Sequence, residues 1–278
     1  MLDKSTYLGA FHRETGTLAD AAREGGDLGA PVPSCPGWTV ATLVTHLTGI
    51  YAHRIKIVAT RATENTVRSY EDLDLPPEYK GLFDAEFDPD AGEEHLTAPP
   101  GLLELFGQTA VTLEEVLRAT DPAKPVWTWW PPDQTAGFWL RRMAQETAVH
   151  RWDAQLACAG AGSVEPIEPE LARDGIDEVF DVMIPSRRGG SPFWNSKPRQ
   201  GDGETYHFHR TDGPGEWLVR FEGDGTTVTH EHAKGDVAAR GTASDLLLFL
   251  WGRLPASRLD VFGDAALLDR YFEFVPAD

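Results

Sequence analysis

The sequence predicts an all-helical four-helix bundle followed by a small antiparallel-sheet α+β domain. Three observations point there. Apolar residues recur at helical spacing over roughly the first 160 positions, they alternate at strand spacing after position 204, and a polar stretch rich in Gly and Pro, 186–204, lies between. With 278 residues the chain can bury two cores, and 41% hydrophobic residues is a globular composition. We place the boundary so that residues 1–162 form the bundle and residues 163–278 the second domain.

Leu8, Phe11, Leu18 and Ala22 give residues 3–24 an apolar face, and Gly25-Gly26 stops that helix. The three prolines of 31-PVPSCPGW-38 cannot continue a helix and predict a rigid, extended loop. Thr39 is an N-cap for a second helix over 40–62, with Leu43, Leu47, Ile50, Tyr51 and Ile57 as its stripe. Residues 63–98 are acidic and weakly periodic, which reads as an irregular crossing. Leu102, Leu105, Phe106, Leu113 and Leu117 define a helix over 101–120, and a fourth, 136–160, follows the aromatic run 127-WTWWPPDQTAGFW-139. Four helices with one long connection make a bundle.

In the second domain a helix over 167–184 precedes the 186–204 stretch, a linker or long loop. Segments 205–212, 216–224 and 226–233 alternate between DGPG and GDG turns, which predicts an antiparallel meander. The run 242-TASDLLLFLWGR-253 opens with a cap region and is apolar enough for a buried helix. Leu259–Phe262 and a helix over 264–274 end the chain, giving a sheet with helices on one face.

The formal net charge is −19, which repels phosphate backbones and anionic lipid, so neither nucleic acid nor membrane is an expected partner. Two cysteines, Cys35 and Cys158, offer no disulfide framework and point to a reducing cytoplasm. The opening residues lack the apolar core of a signal peptide, and no run approaches the roughly 18 apolar residues that span a bilayer. Abundant Ala, Gly, Asp and Arg with few Lys suit a GC-rich bacterial coding sequence.

Glu146 and His150 stand four apart on the fourth helix, so they share a face and can grip one metal ion. Alone, such a pair is more often a solvated surface pair. His46 lies between Leu43, Leu47 and Ile50, close to an apolar stripe, and a buried imidazole needs a partner. Either a backbone carbonyl satisfies it, or His46, Glu146 and His150 form a His₂Glu set for a divalent metal, zinc by preference, with one position open. His207 and His209 share a strand face, as do His230 and His232. They would form a second metal site only if the strands meet, and a solvated sheet face is the commoner role. Cys35 has no visible His/Asp arrangement around it, and Trp127, Trp129, Trp130 and Trp139 read as core or as a pocket wall.

The strings 32-VPSCPGWTVATLVTHL-47, 146-ETAVHRWDAQLA-157 and 241-GTASDLLLFLWGRLPASRLDVFGDAALL-268 together resemble the mycothiol-dependent maleylpyruvate isomerase family, over nearly the whole chain and in the family's order. The resemblance implies a DinB-like four-helix bundle followed by a sterol-carrier-like α+β domain. It also implies metal ligands at His46, Glu146 and His150, with Trp152 and Asp153 in the family's H-R-W-D pattern. Asp153 would orient a ligand or pair with Arg142 or Arg151. The implied cofactors are a divalent cation, zinc first, and mycothiol as thiol cosubstrate. The implied partners are that thiol and an electrophilic small molecule, handled by a monomer or small homo-oligomer. The metal turns the thiol into a thiolate, for isomerisation of a maleylpyruvate-like substrate or for S-transfer. A dicarboxylate needs cations. Arg54, Arg141, Arg142, Arg240 and Arg253 are candidates, and Arg253 is the catalytic choice. Two other functions stay open: a non-catalytic binding or regulatory protein, and a metal-dependent hydrolase of an amide or thioester.

Overall fold

Residues 1–87, 98–160, 164–189 and 197–276 are described by the computed structural model, in which the chain divides into two units, Met1–Glu165 and Pro166–Asp278. In the first unit the Asp3 carboxylate accepts the Thr6 N–H and starts α1 (Lys4–Gly25), and Gly26 at φ +70° ends it. Thr39 caps α2 (Val40–Thr60) in a reciprocal box with Thr42, and Arg61 in the left-handed region terminates it. The loop before α2 is folded back and not extended. Val32 N–H bonds the Trp38 carbonyl, Cys35 and Trp38 close successive turns, and Pro31 bridges Thr39, so the prolines shape a folded-back loop.

The crossing expected to be irregular carries short helices. Two 3₁₀ turns, Tyr70–Leu73 and Pro77–Tyr79, lead into α3 (Lys80–Phe87). Buried Tyr70, Leu73, Leu82 and Phe83 supply the core contacts that weak periodicity concealed. The rest of that crossing, 88–97, lies outside the described residues. Then come α4 (Leu102–Ala119) and α5 (Ala136–Ala159), the latter capped by Thr135. Helices α1 and α2 each pack on both α4 and α5. Trp139 is core, and its indole donates to the carbonyl of half-buried Trp127.

Helix α5 is buried from Ala136 to Gln155 apart from Gly137 and Glu146, although it carries Arg141, Arg142, Gln145, His150, Arg151 and Asp153. Buried charges need internal partners. Arg151 illustrates this: Nε donates to Glu14 of α1 at 2.7 Å, while Nη1 donates to Gln155 and to the Glu165 carbonyl.

In the second unit α6 (Pro169–Glu178) passes through a π turn, Val179–Met183, where the Ile184 N–H reaches the Val179 carbonyl, and continues as α7 (Ile184–Arg188). The Arg188 guanidinium binds the carbonyls of Arg199, Phe274 and Gly223. Helix thus occupies the start of the expected 186–204 loop, and residues 190–196 lie outside the described ones. Five strands follow: β1 (Gly201–Arg210), β2 (Glu216–Gly223), β3 (Gly225–Thr229), β4 (Val237–Gly241) and β5 (Asp260–Gly263). Their order is β3-β2-β1-β4-β5.

Strands β1 to β3 form the expected antiparallel meander, but β4 runs parallel to β1, so the whole sheet is mixed. Segment 230–236 makes no hairpin. It leaves β3, crosses past β2 and delivers β4 to the far side of β1, which also ends β3 at Thr229. One sheet face, with Phe208 and Trp217, packs on Phe180 and on Phe249 of α8 (Ala243–Leu250). His207 and His209 project from the other face by strand alternation. The expected last helix is two short ones, α9 (Ala265–Asp269) and α10 (Tyr271–Phe274), divided at Arg270. No helix among the described residues is long and apolar enough to cross a membrane.

Candidate metal centre

His46 on α2 and the Glu146/His150 pair on α5 meet inside the first unit. Glu146 Oε1 lies 3.3 Å from His46 Nε2 and 3.3 Å from His150 Nε2. The imidazole rings stand at 78° with centroids 5.3 Å apart, so their lone pairs converge instead of stacking. The side chain of His46 is 26% exposed and that of His150 only 8%, so the group opens outward on the His46 side. This donor set fits a divalent cation. Tetrahedral zinc with bonds of about 2.0–2.1 Å holds its ligand atoms about 3.3 Å apart, the separation seen from Glu146 to each imidazole.

Electrostatics keep the ligands ready. Burial alone would raise the Glu146 carboxyl, but the Arg142 guanidinium, with His150 and His46, holds it well below the usual carboxylate range. Arg142 donates to Oε2 at 2.6 Å, leaving Oε1 toward the imidazoles. Burial would lower His150, yet bonds to Asp153, Cys35 and Glu146 raise it well above its ordinary value.

Asp153 completes the support. It is fully buried, its Oδ2 sits 2.9 Å from His150 Nδ1, and its Oδ1 accepts from Ser34 at 2.6 Å. Cys35 Sγ donates to Oδ2 at 3.5 Å. A carboxylate behind an imidazole fixes the ring and leaves the other nitrogen for a metal. Trp38 closes one wall, with its ring 4.9 Å from His46 and 5.8 Å from His150, stacked on the latter. Ser34, Cys35 and Trp38 all come from the folded loop before α2.

Sequence reasoning placed the three ligand candidates but not this loop behind them. The only signal for it was position, just ahead of the helix bearing His46. Arg142, offered as a substrate cation or an Asp153 partner, bonds Glu146. Arg54 packs over Trp139 at 3.9 Å and donates to His53. Arg253 belongs to the second unit, where its Nη1 donates to the Trp251 carbonyl.

A family model described as "Mycothiol maleylpyruvate isomerase N-terminal domain" matches residues 8–155, and one described as "MDMPI C-terminal domain" matches residues 170–270. No match was found among curated proteins. Among solved structures, a mycothiol-dependent maleylpyruvate isomerase is 14% identical, with a TM-score of 0.57 over 94% of this chain and 93% of that one. A point mutant of a mycothiol-dependent maleylpyruvate isomerase is 13% identical, with a TM-score of 0.56 and the same coverage. At such identity these structures share a fold.

Proposed function

The chain belongs to the mycothiol maleylpyruvate isomerase family, and on that premise we propose that it is a metal-dependent isomerase that uses mycothiol. The observation that carries this reading is the placement of Glu146 Oε1 at 3.3 Å from both Nε2 atoms. His46, Glu146 and His150 would hold the metal, with zinc favoured by the nitrogen and oxygen donors. A cation held there would stabilise a bound thiol as thiolate, the nucleophile whose reversible addition to a cis double bond permits rotation to trans.

The chain's own residues prepare that site. Arg142 keeps Glu146 ionised and turns one oxygen inward. Asp153 holds His150 by Nδ1, so that Nε2 alone is presented. Trp38 covers the imidazoles with an apolar ring and limits water. We assign Arg253 the role of receiving a substrate carboxylate, on the chemistry of a guanidinium. Arg253→Met should then raise KM for maleylpyruvate about tenfold or more; an unchanged KM would end that assignment. S-transfer to an electrophile would use the same ligands, and turnover with cis-dicarboxylates against electrophiles separates the two. The same reading places the protein in a reducing cytoplasm, where Cys35 and Cys158, neither of them in a disulfide, and a small thiol stay reduced.

The test is metal content and thiol dependence of the wild type and His150→Ala. The reading expects about one metal at this site, lost in the variant, and turnover only when mycothiol is present. Turnover without thiol would favour hydrolysis, and a wild type that takes up no zinc would leave a binding protein on the same fold.

A further inference from the structure

The second unit holds another convergence of metal-binding side chains, formed where segment 230–236 crosses the sheet. His207 and His209 project from one face of β1, and Glu216 of β2 is the direct register partner of His209. The crossing brings His232 over the same spot. His207 Nε2 and His232 Nδ1 lie 3.1 and 2.8 Å from Glu216 Oε2, and His209 Nδ1 lies 3.2 Å from Oε1. His230, the remaining imidazole of this region, sits beside Trp217 and takes no part.

The three rings are splayed around a common point. His207–His209, His207–His232 and His209–His232 stand at 78°, 84° and 81°, with centroids 5.5–6.1 Å apart. One nitrogen from each ring and one carboxylate oxygen all lie within 4.8 Å of one another. Ligands on tetrahedral zinc sit about 3.3 Å apart, so small movements of side chains would close the set. The cluster is graded in exposure, from 8% for the His207 side chain to 80% for His232, which gives an ion a route in. Arg240, the β4 partner of His209, is the nearest opposing charge by register, but its guanidinium lies toward the Phe262 ring of β5.

We propose that His207, His209, His232 and Glu216 form a second divalent-metal site, distinct from the one in the bundle. Three imidazoles and a carboxylate suit zinc, cobalt, nickel or copper, and are poor ligands for calcium or magnesium, which take oxygen. Four protein donors fill a tetrahedral shell, so this site is closed, unlike the three-donor set in the first unit. Its effect is to fasten the crossing segment onto β1 and β2.

The test is zinc binding by the full chain, with a chelator in competition, for the wild type, His232→Ala, His150→Ala and the double variant. His232 is exposed, so its truncation spares the core. The proposal expects the wild type to hold about one zinc more than His232→Ala, or to hold it at least about tenfold more tightly. His150→Ala should keep that zinc and the double variant should lose it. A wild type with one zinc and a His232→Ala with none supports this site while sinking the first. Equal stoichiometry and affinity in the wild type and His232→Ala overturn the proposal, and leave three imidazoles hydrogen-bonded to a carboxylate.

Discussion

Asp153 meets His150 and Cys35 through Oδ2 and Ser34 through Oδ1. Its role as a positioning residue predicts that Asp153→Asn keeps the bundle fold but weakens zinc binding about 10- to 100-fold. Chelator competition, with circular dichroism as the fold control, measures it; unchanged affinity would reduce Asp153 to a packing element. His53 carries a different consequence. The Arg54 guanidinium donates to its Nδ1 at 2.6 Å, and burial together with that charge lowers its pKa from 6.5 to about 3. Between those values the unfolded chain takes up a proton that the folded chain refuses. Stability from this residue is therefore present above about pH 6.5 and lost as pH falls toward 3, by at most about 1.4 kcal/mol per unit. His53→Gln should flatten the acid side of the stability profile, read as urea midpoints from about pH 7 to pH 4. An unchanged slope would show that other groups set acid sensitivity.

At the scale of elements, α5 is held by charges as much as by apolar contact. Glu14 and Arg151 are 3% and 2% exposed, so removing one breaks a buried ion pair in the α1–α5 contact. Glu14→Ala should cost about 3 kcal/mol in denaturant unfolding, the low end for a broken buried pair because Arg151 keeps Gln155 and the Glu165 carbonyl. A loss below about 1 kcal/mol would make this a surface-like pair. The elements also show what could be read in advance. Helix α2 was legible because its apolar stripe recurs at helical spacing and Thr39 marks its start; α5, buried on nearly all sides, carries no such stripe, but a four-residue spacing put Glu146 and His150 on one face. The residues behind them were not. Ser34 and Cys35 reach Asp153 across more than a hundred positions, through a loop whose turn depends on Gly37 at φ +86°. Likewise, nothing in 230–236 states that the next strand pairs with β1. That choice is made by the buried face of β4, with Val237 and Ala239 in the core, and not by turn chemistry.

On the scale of the whole molecule, the two family domains lie in order along one strongly acidic chain. A net charge of −19 opposes compaction by self-repulsion, and screening relieves it. Raising NaCl from about 20 to about 200 mM should lift Tm by a few degrees. A fall would mean that exposed ion pairs such as Arg23–Asp20 outweigh the general repulsion. Charge also bears on the proposed reaction: a dicarboxylate substrate would meet an unfavourable long-range field, so its association should be slow at low salt.

The π turn after α6 sets the rotational phase of α7. Such a turn contains one residue more than the α-helical turn it replaces. Each residue advances a helix by about 100°, so the side chains beyond Met183 point where they do because of that extra residue. Arg188, with its reach to the carbonyls of Arg199, Phe274 and Gly223, lies beyond it. A single-residue deletion within Val179–Met183 would leave a more regular helix and swing that guanidinium away from all three stretches of chain it joins. Substitutions here change a side chain, whereas a gap changes the aim of the whole segment.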